Sequence, residues 1–82
     1  MNEQEIKNEI EKRVSNYSVW TIGITDDPNR RKIEHENPIL WYHWRADSEA
    51  IARRVEKHFI DKGMKGAPGG GESPNYVYIF IK

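Results

Sequence analysis

The chain has 82 residues with 13 basic and 13 acidic side chains, so it holds one domain with one modest core and no net charge. It contains no cysteine, which excludes disulfide staples and thiolate metal sites. Neutrality argues against strong autonomous nucleic-acid binding, because phosphate neutralisation drives that affinity, and no apolar run approaches the roughly 20 residues that span a bilayer.

The polar start Met1-Asn2-Glu3-Gln4-Glu5 has no apolar signal core, so a cytoplasmic location is expected. Within the N-terminal segment 1–16, the pattern predicts a helix over 2–15. Asn2 and Glu5 have capping-box spacing, and Ile6, Ile10 and Val14 form one narrow apolar stripe. Residues 17–25 read as a strand of β-branched and aromatic residues. Alternation sends Trp20, Ile22 and Ile24 to a core, and Thr21, Gly23 and Thr25 to the other face, where their small size leaves space.

Asp26-Asp27-Pro28 then opens a helix that runs to about His35 and is stopped by Glu36-Asn37-Pro38. A second strand follows over 39–46. Its run Trp41-Tyr42-His43-Trp44 is suited to stacking on nucleobases, but such a run more often fills a core, here on both faces of a helix-covered sheet. Asp47-Ser48-Glu49 caps a third helix to about Lys62, with Ile51, Val55 and Phe59 as its buried stripe and Gly63 at its end. The glycine-rich stretch 63–74 lacks the Gly-Lys-Ser/Thr of a phosphate loop and reads as a connector, although Lys62, Lys65 and free amides are suited to clamping a phosphate backbone. A last strand covers 75–82. The order α-β-α-β-α-β predicts a single α/β (α+β) domain over 1–82, with a three-stranded sheet flanked by helices.

Chemistry-bearing residues fall in order along this scheme. Arg31 and His35 are four apart and share a helix face, where a guanidinium can fork a phosphate and an imidazole can orient a water. On a solvated helix the same pair would be an exposed Arg and a C-terminal His. Glu56 borders the apolar stripe of the third helix, as a metal-ligating carboxylate or as an ion-pair partner of Arg53. Gly23 either admits a phosphate to the strand or marks close packing. No zinc spacing and no nucleophile triad stands out.

The run Thr21 to His35 resembles the second half of the GIY-YIG nuclease pattern. That pattern has a strand ending in Tyr-Ile/Val-Gly, a short turn, and a helix with an Arg and, one turn later, often a His. Ile22-Gly23, Arg31 and His35 match it, and Ala52-Arg53-Arg54-Val55-Glu56 resembles the later helix that carries the family's metal-binding Glu. The likeness spans roughly residues 17–60, about half the chain. It departs from the pattern at Thr21, which replaces a tyrosine, and at the first strand, whose place a polar helix takes. Asn75 is a candidate for the family's late asparagine.

The resemblance implies hydrolysis of DNA phosphodiesters with Mg²⁺ or Mn²⁺ held by Glu56. Arg31, His35, Glu56 and Tyr78 would be catalytic, and Thr21, Gly23, Thr25 and Tyr76 would line the substrate. It further implies that strand 75–82 replaces the missing strand beside 17–25, bringing the phenol of Tyr76 or Tyr78 to Gly23. The alternative is a catalytically inactive module of the same fold that binds nucleic acid or protein; self-association stays open. Binding of a small nucleotide or other phosphate ligand above Thr21 and Gly23 is a third, weaker reading.

Overall fold

A computed structural model describes residues 1–69 and 71–82; Gly70, in the glycine-rich stretch, lies outside the described residues. The chain runs α1 (Glu3–Arg13), a 3₁₀ turn (Tyr17–Val19), β1 (Thr21–Thr25), α2 (Pro28–Glu34), β2 (Leu40–Arg45), α3 (Glu49–Asp61), β3 (Lys65–Gly66) and β4 (Tyr76–Ile81). The strands form one mixed sheet in the order β2-β4-β1-β3. β4 is antiparallel to both β1 and β2, and β3 is parallel to β1. No helix among the described residues is long and apolar enough to cross a membrane.

Local chemistry sets the helix starts. Asn2 accepts from the Glu5 amide while the Glu5 side chain accepts from the Asn2 amide, completing the capping box. Asp27 caps α2 ahead of Pro28, and Ser48 caps α3. At the end of α2, Glu36 (φ 67°) and Asn37 (φ 50°) enter the left-handed region before Pro38. A helix cannot continue through that geometry.

Three expectations are corrected. The sheet has four strands, because Lys65–Gly66 pairs with Thr21–Ile22 and the Ala67 amide donates to the Ile22 carbonyl at 2.9 Å. That pairing satisfies the outer edge of β1, which would otherwise leave backbone groups unpaired. Residues 17–19 turn instead of extending, since the Asn16 side chain accepts from the Ser18 amide and hydroxyl. Finally, β2 is an edge strand. Trp41, Tyr42 and Trp44 are half-buried and His43 is exposed, so the aromatic run does not bury both faces.

The sheet separates two unequal layers. On one face Ile22, Ile24, Val77 and Ile79 meet Ile6, Ile10, Ala52, Val55 and Phe59 of α1 and α3 in the main core. Most of these side chains are fully removed from solvent, and each contributes about 1.5–3 kcal/mol of hydrophobic stabilisation. On the other face Tyr78, Phe80 and Ala67 form a small cluster with Trp41, and α2 lies over it through His35.

Candidate functional site

β-pairing fixes the centre of the site. Gly23 of β1 stands opposite Tyr78 of β4, so the two residues point to the same face. The phenol ring lies across Gly23. A Cβ there would stand 2.7 Å from Tyr78 Cε2 and nearer still to Cζ and Oη. The space expected above Thr21, Gly23 and Thr25 is therefore filled, over its middle, by the Tyr78 side chain, which is wholly buried. Trp41 stacks on that ring at 4.7 Å with a 13° interplanar angle.

The capped start of α2 and its four-residue spacing place Arg31 and His35 above the phenol. Arg31 Nη2 donates to Tyr78 Oη at 3.3 Å, and His35 Nε2 lies 3.2 Å from the same oxygen. An arginine only donates, so it consumes a lone pair of Oη and leaves the phenol proton free to point at His35 Nε2. Burial, then the nearby Arg31 and Lys82 charges, push the His35 pKa down, which favours the neutral ring that accepts this proton. Burial pushes the Tyr78 phenol up, against the opposing pull of Arg31, so Tyr78 stays protonated at neutral pH.

Arg31 is also held by the Pro68 carbonyl (2.7 Å from Nη2) and by Glu34 (2.9 Å from Nη1). Its Nε is buried without a partner among the described residues. An orphaned buried donor costs about 1–3 kcal/mol and marks a place where an acceptor is missing. The Pro68 contact was not foreseeable from spacing, because it depends on β3 steering the chain back over α2.

The remaining expected residues scatter. Thr25 is fully buried and its hydroxyl is spent on the Asp27 backbone, so it shapes the turn into α2 and presents nothing to a substrate. Thr21 pairs with Phe80, one step from the phenol along the same face. Tyr76 is half-buried, opposite Thr25 on one side and Arg45 on the other, and it meets the His43 ring edge-on at 6.2 Å. Only Arg31, His35, Gly23 and Tyr78 come together.

Glu56 stands apart from that contact set, on α3, whose buried side packs on the opposite face of the sheet. β3 covers β1 only at Thr21 and Ile22, leaving the outer edge of Gly23 to Thr25 unpaired by it. The Glu56 charge is felt at the Tyr78 phenol, which it pushes up. Burial raises the pKa of Glu56 itself, with Arg53 opposing. The carboxylate has no ion pair within 4 Å among the described residues, so its lost hydration is only partly offset, by the Arg53 charge. Glu56 is the carboxylate that the resemblance assigns to a divalent cation, whose other positions water and phosphate would have to fill. No group of three or more His, Cys, Asp or Glu side chains converges at Glu56 or at any other place among the described residues. Comparison with protein-family models, curated proteins and solved structures returned no match.

Proposed function

We propose that the chain is a GIY-YIG-like domain that hydrolyses nucleic-acid phosphodiesters with the help of a divalent metal ion. The observation that supports this most is the shared Tyr78 hydroxyl, bounded by Arg31, His35 and the missing side chain of Gly23. The residues that the resemblance nominated are separated by 47 positions in sequence yet meet at one oxygen.

In this reading Arg31 binds a non-bridging phosphate oxygen with the Nη1 N–H that Glu34 leaves free, Nη2 being held by Pro68 and Tyr78. Tyr78 and His35 form a proton relay: the phenol donates to the neutral imidazole, and Arg31 stabilises negative charge on Oη as the proton leaves. Glu56 would hold the divalent ion, Mg²⁺ or Mn²⁺, which when bound supplies charge neutralisation at the phosphate and leaving oxygen. Thr21 cannot replace a second tyrosine as a base, because an aliphatic hydroxyl is far less acidic than a phenol near about 10.

A second reading is the catalytically inactive module of the same fold. It is favoured by the complete burial of Tyr78 and by the Pro68 carbonyl that occupies Arg31. One experiment separates the two. Supercoiled plasmid is incubated with the protein and Mg²⁺ or Mn²⁺, beside the Arg31→Ala, Tyr78→Phe and Glu56→Ala variants. Metal-dependent nicking lost in all three supports hydrolysis. Nicking that survives in the variants, or no nicking by the parent chain, overturns it.

A further inference from the structure

α2 has only seven residues, and the face of the sheet that it covers extends beyond it. Over β2 and the start of β4 three rings are left open to solvent to different degrees: Trp41 and Tyr76 are half-buried and His43 is exposed. They form a continuous strip. Trp41 and His43 lie 6.5 Å apart, His43 and Tyr76 lie 6.2 Å apart, and the strip joins the buried cluster where Trp41 stacks on Tyr78. Trp41 Nε1 donates to His43 Nδ1 at 3.0 Å, which sets the neutral His43 tautomer and fixes its ring plane.

Two cations without an ion pair among the described residues border the strip: Lys32 lies close enough to depress the His43 pKa, and Arg45 stands beside Tyr76 in the ladder, whereas Arg31 and Lys82 are paired with Glu34 and Glu36. The opposite face of β2 is used differently, with Tyr42 and Trp44 lying under the Arg13 guanidinium at 5.1 and 5.7 Å. Alternation thus divides the aromatic run into a side held by α1 and a side offered to a ligand.

A ligand for this strip needs flat π-faces, to stack on rings, and negative charge, to meet the cationic border. A chain of unpaired nucleotides has both properties in one repeat, whereas a duplex hides its base faces in its own stack. We infer that Trp41, His43 and Tyr76 form a stacking platform for unpaired bases, so that the protein prefers single-stranded to duplex nucleic acid. The inference rests on the phosphate reading of Arg31 for where the backbone runs, but stacking itself requires no hydrolysis.

The test is anisotropy of a fluorescein-labelled oligothymidylate of about 15 nucleotides against a duplex of equal length, in EDTA and low salt, using the whole chain. Tighter binding to the single strand is expected. His43→Ala and Tyr76→Ala should each weaken it by about fivefold to a hundredfold, the range for losing one stacked base. Lys57→Ala, on exposed α3 surface, should leave it unchanged. Circular dichroism confirms that each variant is folded. Equal affinity for the two forms, unchanged affinity in both aromatic variants, or no binding overturns the platform, even if plasmid nicking is found. Single-strand binding without nicking upholds the platform and removes the hydrolytic reading.

Discussion

Replacing Gly23 by alanine tests the packing on which the site depends. The new Cβ would lie inside the van der Waals envelope of the Tyr78 ring, 2.7 Å from Cε2 and closer to Cζ and Oη. The ring has nowhere to go. Trp41 stacks against it at 4.7 Å, and its hydroxyl is held by Arg31 and His35. Overpacking of this kind costs about 1–3 kcal/mol. Removing a strand glycine returns about 0.5–1 kcal/mol of backbone entropy. From the middle of each range the net loss is about 1.2 kcal/mol, which for a chain of this size lowers Tm by roughly 5–10 °C. Urea unfolding followed by tryptophan fluorescence measures it, with an unchanged m-value as the check on two-state behaviour. In a Tyr78→Leu background the clash is gone, so Gly23→Ala should be neutral or mildly stabilising. A Gly23→Ala chain as stable as its parent, or an equal loss in both backgrounds, would refute the claim that Gly23 exists to admit the phenol.

Three further outcomes follow from the same geometry. Tyr78→Phe should fold, lose about 1 kcal/mol with its hydroxyl's hydrogen bonds, and shift the His35 imidazole resonances in NMR; unchanged resonances would place His35 elsewhere. All three histidines have pKa values depressed first by burial and then by nearby cations. The unfolded chain therefore binds more protons than the native one from the ordinary histidine value downward, and stability falls as pH drops from about 7.5 to about 5. The raised Glu56 acts in the opposite sense, and a Tm that is flat or rising on acidification would contradict the histidine assignment. Glu56→Gln removes a charge whose burial Arg53 offsets only in part, so Tm at neutral pH should rise and the gain should vanish once the parent carboxyl is protonated. A lower Tm at neutral pH would reveal a favourable partner for that carboxylate.

Sequence reasoning located what local chemistry controls. Asn2 with Glu5, Asp27 with Pro28, and Ser48 announce helix starts because capping is decided within one turn. The inward set Ile22 and Ile24 follows from strand alternation. The placement of the last strand beside β1 agrees with the expectation drawn for residues 75–82, and Gly23 does lie opposite Tyr78. β3 was not legible. Gly-Met-Lys-Gly has no strand propensity, and only the unpaired edge of β1 recruits it. The half-exposure of Trp41 and Trp44 was hidden for a related reason, because burial on an edge strand depends on how far the helices reach. Thr25 misled because a small hydroxyl beside a glycine suggests a ligand, whereas an Asp-Pro turn uses the same hydroxyl internally.

The sheet acts as a partition between structural and chemical duties. Its aliphatic side, sealed by α1 and α3, carries most of the burial, while the α2 side holds the ionisable and half-open groups. Substitutions on the two sides share few partners and should combine nearly additively. Positions 31, 35 and 41 all meet Tyr78, so changes among them should couple with one another while leaving the α1 and α3 side undisturbed.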